Sequence, residues 1–288
     1  MLRCTYVILI YNHESNIPDL VDSLKKIHGN FRKEYIFVDD GSTDDSLNIL
    51  KSAVNDIPRT TIVTQENQGP SSSINKAASL ATGDYIHFVE GDEILNPEST
   101  ALLIEASLKL GTQVSVGSVS SKLREHSVVD TVAKLIEVPL NAILVNKLPV
   151  VREIGKSGSL VHSHLLEKIG KVDSSIYTQN MSLSLRCAKY SRFAYVAKDI
   201  SKISERNQST DSNFDSYNNL KAIYNFTKAN PDLFVDLVPE LLSALSHEVR
   251  TRGNKINYSV KSWTSKYIKS LTLQKVLKIY KQELDRLF

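Results

Sequence analysis

The sequence predicts an α/β protein: a Rossmann-like, mostly parallel sheet with flanking helices, followed by a C-terminal helical extension. Three features carry this reading. Short β-rich apolar runs alternate with segments of helical periodicity through the first 110 residues. Polar and acidic residues follow several of those runs, and the chain beyond the polar stretch 204–218 is helical in pattern.

Taken in order, Cys4–Ile10 is an apolar run suited to a strand, and Ile17–Ile27 carries Leu20, Leu24 and Ile27 at helical spacing. Tyr35–Val38 is a second strand, ended by Asp39-Asp40-Gly41. Ser42 or Thr43 is placed to cap the next helix, with Asp44 and Asp45 near its positive end. Thr61–Val63 is a third strand. Pro70 opens a helix with Ile74, Ala77, Ala78 and Ala81 on one face, and Gly83 closes it. Tyr85–Val89 is a fourth strand, running into Glu90-Gly91-Asp92-Glu93, and Pro97 starts a helix to about Leu110. Further on, Gln113–Val119 has strand character, Ser121–Ser157 supplies loops over the site, and Leu160–Ile169 is helical, ending at Gly170. Met181, Leu185 and Ala188 stripe one helix, before strand-like Phe193–Val196. Breaks fall near Asn230-Pro231 and Gly253-Asn254. The natural division is near residue 210, giving an α/β domain over 1–210 and a basic helical region over 211–288.

Bulk properties narrow the class. A hydrophobic content of 41% supports a real core, and 23% charge is ordinary for a soluble chain. Cys4 and Cys187 follow no metal-ligand spacing and give no disulfide framework, which favours a reducing, cytoplasmic setting. The apolar run from Tyr6 to Ile10 is too brief for a secretory leader, and no stretch approaches the roughly 20 apolar residues that cross a bilayer. Net charge is only +3, but from Val249 to Phe288 ten Lys/Arg face two acids, Glu283 and Asp285. Such a tail suits an anionic surface, or a solvated helical face. Val276, Leu277, Ile279 and Leu284 point to helix packing there more than to base stacking, so nucleic acid is not an expected partner.

In an open α/β sheet, ligands bind beyond the carboxyl ends of the strands. Three such ends are polar: Asn12 and Glu14 after the first, Asp39 and Asp40 after the second, Glu90, Asp92 and Glu93 after the fourth. Carboxylates gathered at one edge repel each other unless a cation or a donor-rich ligand joins them. Mg²⁺ or Mn²⁺ bridging a diphosphate answers that repulsion. Neither G-x-G-x-x-G nor the P-loop pattern is present, which argues against a dehydrogenase or P-loop NTPase.

Four collinear strings over residues 4–210 then become specific: YVILIYNHESNIPDLVDSL, EYIFVDDGSTDDS, NQGPSSSINKAASLATGDYIHFVEGDEIL and LLEKIGKVDSSIYTQNMSLSLRCAKY. Together they resemble the family 2 inverting glycosyltransferases, whose fold is GT-A. The resemblance implies that Asn12 and Glu14 line the base and ribose, and that Asp40 accepts a hydrogen bond from a uracil-type imide with Asp39 in support. Asn75 matches a helix Asn that follows an Arg in the family, where this chain has Ile74. Glu90-Gly91-Asp92 falls at the DXD position, with Asp92 as metal ligand and Glu90 reaching the ribose or a metal-bound water. The family's usual first Asp is Glu here. Gly158 and Ser159 fall in the acceptor region, and Arg206 where relatives close over the diphosphate. His87 is a core residue, and His162 and His164 are no metal site.

Inverting transfer needs a carboxylate to take the acceptor's proton. The family's Asp aligns with Asn180, whose amide cannot do so. Three explanations stand side by side: a deliberate Asp-to-Asn change that preserves shape, a natural binder without turnover, or a different base such as Asp173 or Glu205. The implied activity is metal-assisted sugar transfer from a nucleotide diphosphate, UDP-linked, to a glycan or lipid-linked glycan. The resemblance also implies a setting in bacterial surface-polysaccharide assembly, in the cytoplasm, and the basic tail suits contact with the inner face of the membrane, packing on the α/β domain or dimerisation. The alternative is a catalytically silent, sugar-nucleotide-binding scaffold.

Overall fold

The computed structural model describes residues 1–120, 133–136, 158–177, 179–204, 212–233 and parts of 277–285. In chain order these form β1 (Arg3–Ile10), α1 (Ile17–Lys26), β2 (Arg32–Asp39), α2 (Ser46–Ala53), β3 (Thr60–Thr64), α3 (Pro70–Leu80), β4 (Tyr85–Glu90), β5 (Glu93–Leu95), α4 (Ser99–Leu110), β6 (Val114–Ser120) and β7 (Ala133–Ile136). Then follow β8 (Ser159–His162), α5 (Ser163–Lys168), α6 (Asn180–Ala188), β9 (Phe193–Ile203), α7 (Ser212–Ala229) and a 3-10 turn, Pro231–Leu233.

The described strands make one sheet in the order β3-β2-β1-β4-β8-β6-β9-β5, with β7 paired to β9. Strands β1 to β4 are mutually parallel. β8 enters antiparallel between β4 and β6, which makes β6 and β9 run with the first four. The centre of the sheet is covered on both sides, which explains why β1 is continuously apolar from Tyr6 to Ile10 rather than alternating. Its side chains divide by the two-residue period of a strand. Tyr6, Ile8 and Ile10 pack with Leu20, Leu24, Leu50 and Leu103 of α1, α2 and α4. Val7 faces the other way, into Ile74, Ala77, Leu165 and Leu183 of α3, α5 and α6. Leu220, Ile223 and Phe226 of α7, and further along Tyr280 and Leu284, belong to that second cluster. Tyr280 stacks on Tyr224 with ring centroids 6.1 Å apart, and its hydroxyl donates to the Leu220 carbonyl.

The predicted β–α alternation is observed, with element ends moved by a few residues. Four local readings are corrected. Within Leu160–Ile169 the first residues are not helix: Ser159–His162 is strand β8, and the helix is only Ser163–Lys168. A short apolar run has no resolvable period, and here burial between two strands decided its form. β5 is three residues long and was invisible for the same reason. α7 starts at Ser212, inside the expected polar stretch, because Asn, Asp and Ser dilute its apolar stripe. Gly83 does not cap α3, which ends at Leu80. Instead a Cβ on Gly83 would lie 2.7 Å from both the backbone nitrogen and the hydroxyl of Thr5, so glycine permits the close approach of β1. The segments Ser121–Ser157, apart from β7, and Gly253-Asn254 lie outside the described residues.

Candidate functional site

Because β1, β2, β4, β6 and β9 run together, the ends of these strands share one edge of the sheet. Asp39 is the last residue of β2, opposite Ile10 of β1. Asp39 and Asp40 are only 3% and 6% exposed. Two buried carboxylates need donors. Asp39 accepts from the Ser42 N–H at 3.4 Å. Asp40 accepts from Gln65 Nε2 at 2.7 Å, the Gln68 N–H at 2.9 Å and the Gly69 N–H at 2.8 Å. Gly69 is the residue before α3, so the Asp40 charge sits at that helix's positive end.

Asn12, with φ +56°, turns the chain out of β1. Its side-chain carbonyl accepts from the Thr43 N–H at 2.8 Å, and its own N–H donates to Ser42 Oγ at 3.0 Å. Glu14 Oε2 accepts the Asp45 N–H at 3.0 Å, while the Glu14 N–H donates to Asp44. The two loops therefore interlock. This also corrects the expected cap: α2 starts at Ser46, its first free N–H groups go to Asp44 and Glu14, and Ser42 and Thr43 serve Asn12 instead. Burial raises the Asp44 carboxyl, but hydrogen bonds from Ser46 and the Glu14 N–H outweigh it and hold the group below the usual carboxylate range.

Beyond β4, Gly91 and Asp92 join directly to β5. A Cβ at Gly91 would meet the His13 ring at 2.3 Å and the Leu9 carbonyl at 2.9 Å, so any side chain there would push the β1 loop away. Asp92 is half-buried, and its carbonyl accepts the Ser204 N–H at 2.8 Å, which ties this turn to the end of β9. Glu93 is buried and accepts the Glu90 N–H at 3.4 Å. Among the described residues no three His, Cys, Asp or Glu side chains gather to hold a metal by themselves. The donor set fits a hard cation that takes one or two carboxylates and completes its shell on phosphate oxygens and water. Asp92 is the carboxylate available for that role.

Gly158 and Ser159 reach the same edge from the opposite direction. Leu160 of β8 pairs with His87 of β4, which puts Ser159 and Gly158 beside the last residues of β4. The Gly158 carbonyl accepts the Gly117 N–H at 2.8 Å, and Ser159 is buried. Asn180 is the first residue of α6, and the residue before it, Gln179, is buried. The Gln179 amide donates to the Ile176 and Asp173 carbonyls at 2.7 and 3.0 Å and to Ser71 Oγ.

Other singled-out residues are placed elsewhere. Asn75 spends its amide on the backbone of Val172, donating at 3.1 Å and accepting at 3.0 Å, and so ties α3 to the loop after α5. Ile74, at the family's Arg position, is in the core. His87 is fully buried against Thr100 and Tyr6, as expected of a core residue. His162 accepts the His164 N–H and packs edge-on against Tyr85. Cys4 and Cys187 are free and buried, and burial pushes the Cys187 thiol up to about 12. Arg206 and Glu205 lie outside the described residues. Asp173 lines a cavity of about 370 Å³ with Lys168, Arg186 and Asn225, between α5, α6 and α7. Burial raises its carboxyl, but Asn225 and Ser175 donate to it at 2.9 and 2.7 Å and hold it below the usual range, which makes it a weak base. The residues near Asp40 to which the motifs assign no role are Gln65, outside the four strings, and Gln68 and Tyr177, inside them.

Residues 5–128 match the family model for Glycosyl transferase family 2. The poly(ribitol-phosphate) beta-glucosyltransferase of Bacillus spizizenii is 31% identical over 121 residues, 40% of this chain and 19% of that protein. The stretches matched in the first curated relatives span 10% to 36% of their lengths. Among solved structures, S. aureus TarS 1-349 in complex with UDP-GlcNAc superposes with a TM-score of 0.60 at 15% identity, covering 98% of this chain and 92% of that one. The mannosyltransferase PcManGT from Pyrobaculum calidifontis, in complex with GDP-Man and Mn²⁺, gives 0.57 at 15% identity, covering 99% and 85%. The motif resemblance is thus borne out: residues 5–128 are a family 2 glycosyltransferase match, on a GT-A fold.

The Asp173 bonds carry a pH signature. A depressed folded-state carboxyl stabilises the protein above its unfolded pKa, and that contribution is lost as pH falls through the folded value. Asp173→Asn should therefore lower Tm at pH 7 by about 1–3 °C, the gap closing below about pH 4. Melting curves across pH 3–7 measure this, and a gap that stays constant with pH would refute the assignment.

Proposed function

We propose that this chain transfers a sugar from a nucleoside diphosphate, UDP-linked, to a hydroxyl of a glycan or lipid-linked glycan with inversion. The observation that carries the reading is the pair of buried carboxylates, Asp39 and Asp40, on the same sheet edge as Asp92. The UDP-GlcNAc held by the TarS neighbour supports the donor class. In this reading Asp40 faces the base imide with Asp39 behind it. Asn12 and Glu14 fix the loop wall around the base and ribose, and Asn75 holds α3 in place from behind. Glu90 reaches the ribose or a metal-bound water. Gly158 and Ser159 leave a narrow, small-side-chain floor on the acceptor side, and Arg206 neutralises the diphosphate. A divalent ion, Mn²⁺ as in the PcManGT complex or Mg²⁺, would be held by Asp92 and would stabilise the charge on the leaving diphosphate.

In the reaction the acceptor oxygen bonds to the anomeric carbon, the bond from that carbon to the diphosphate breaks, and the hydroxyl proton leaves. Position 180 is where a carboxylate would take that proton. With Asn180 present the proton has no strong acceptor there, which favours a second reading: a protein that binds sugar nucleotides without turnover. Asn180→Asp separates the two. On the enzyme reading it raises transfer to a matched acceptor by about 10²–10⁴-fold. Nucleotide binding with no gain in rate would favour the silent binder.

The donor site has a direct test. A ligand at about 100 times its Kd adds roughly 2.7 kcal/mol, a Tm shift of about 2–4 °C per kcal/mol in a domain of this size. UDP-, GDP-, dTDP- and CMP-sugars, each with and without Mn²⁺, should give a metal-dependent shift with one nucleotide class. Asp92→Ala should remove the metal dependence. A flat panel on folded protein would sink the donor-site reading.

No described helix is long and apolar enough to cross a membrane. We place the protein in the cytoplasm, at the inner face of the membrane, where the ten Lys/Arg after Val249 meet anionic lipid. The exposed Lys278 and Lys281 flank buried Tyr280, so one face packs on α7 while the other keeps its charge in solvent. Flotation with anionic liposomes should fail once residues 249–288 are removed from an otherwise folded protein. Undiminished flotation would refute the tail's role.

A further inference from the structure

Tyr177 belongs to the loop between α5 and α6, and its surroundings set it apart from an ordinary surface aromatic. The backbone around it is pinned on every side. Its N–H donates to Asn218 Oδ1 at 2.8 Å, and its carbonyl accepts from Ser71 Oγ at 2.9 Å. The preceding residue, Ile176, is in the core, and its carbonyl is held by Gln179 and Ser71. Despite this anchoring, Tyr177 remains 41% exposed.

The Cδ2–Cε2 edge of the ring lies against Gly69. A Cβ there would be 2.6 Å from Tyr177 Cε2 and 2.8 Å from Cδ2, and Gly69 has φ +85°, so both backbone and space require glycine. The Gly69 N–H is one of the three donors to Asp40. The ring is therefore one residue from the carboxylate that faces the donor base. Burial pushes the Tyr177 phenol up, and the neighbouring charges of Asp40 and of Tyr11 push it further. Tyr11 follows the last residue of β1 and is 42% exposed. The Ile10 carbonyl just before it accepts the Asp40 N–H at 2.9 Å, so both exposed aromatic residues adjoin backbone that is bonded to Asp40.

From this arrangement we infer that Tyr177 is a specificity-determining residue of the donor site, whose ring packs against the nucleobase while Asp40 takes the base N–H. The inference rests on the donor-site reading above. Its physical basis is preorganisation: a ring whose backbone is already fixed loses little entropy when a planar partner stacks on it. A nucleobase offers both a flat face for the ring and an edge donor for the carboxylate. A phosphate offers neither, so the contribution of Tyr177 belongs to the base alone.

Isothermal titration of the full chain with UDP, GDP, dTDP and CDP in Mn²⁺, and with Mn²⁺-pyrophosphate, tests this. Tyr177→Leu should raise the Kd of the nucleotide that binds wild type by about 5–13-fold, the equivalent of a 1–1.5 kcal/mol ring contact. Pyrophosphate affinity should stay within twofold, and Tyr177→Phe should recover most of the nucleotide affinity. Tyr177→Ala, with its fold checked by melting, provides a second variant. Equal nucleotide affinity in wild type and Tyr177→Leu would overturn the inference and leave the donor site standing. A matching loss for pyrophosphate would also overturn it, by assigning Tyr177 to loop structure. Wild type that binds none of the four nucleotides would instead overturn the donor-site reading itself, and this inference with it.

Discussion

The arrangement of the site depends on one buried carboxylate. Asp40 stands one residue past the end of β2 and draws three donors from the segment that leads into α3: the Gln65 amide and the N–H groups of Gln68 and Gly69. Leaving a buried donor without its acceptor costs about 1–3 kcal/mol, so these contacts fix the approach to α3 firmly. Fixing Gly69 fixes the surface on which Tyr177 rests. Ser71, two residues on, holds the carbonyls of Ile176 and Tyr177, and Gln179 closes the same network. The start of α6, where a base would act, is thus connected to the end of β2 through the backbone from Gly69 to Ser71 and the side chains of Ser71 and Gln179.

A second constraint is steric. Gly91 at the His13 ring and Gly69 at Tyr177 are two of the places where the backbone comes closer than any side chain allows. The first brings the loop after β1 against the acidic turn after β4. The second brings the loop before α6 against the helix that caps Asp40. In both cases a pair of elements far apart in sequence meets at the edge where the strands end. The polar groups of Asn12 and Glu14 complete this by locking the first loop onto the turn from Ser42 to Asp45. These residues build walls, and in the proposed reading the ligand-facing chemistry is left to Asp40 and Asp92.

The sequence was most legible where period and punctuation agree. The first four strands, α1 and α3 have clear apolar spacing and bounding turns, and the structure places them where the spacing does. It was least legible in short elements such as β5 and β8, which have too few residues to show a period and exist because neighbouring strands pair with them. Site residues divide along a similar line. Asp39, Asp40 and Asp92 stand out because acids at strand ends need a partner. Asn75 carries a matching motif letter, but its amide is bound to Val172, a contact across 97 residues that no local pattern encodes. Gln65, Gln68 and Tyr177 are unremarkable letters whose roles come from the backbone they meet in three dimensions.

The same distinction applies to Asn180. The framework that positions the start of α6 consists of Gln179, Ser71, Ile176 and Asn218, whose bonds run to one another and to the backbone. Replacing a carboxylate by an amide at the first position of a helix gives up about 0.3–1 kcal/mol of favourable interaction with the helix dipole. Against a total stability of about 5–15 kcal/mol that loss is small, and the amide keeps the shape of the acid. The proton-accepting capacity at this position is therefore set independently of the fold that presents it. On the proposed function, the donor-binding geometry is the same whether residue 180 is Asp or Asn, and only the step that removes the acceptor's proton depends on which one is there.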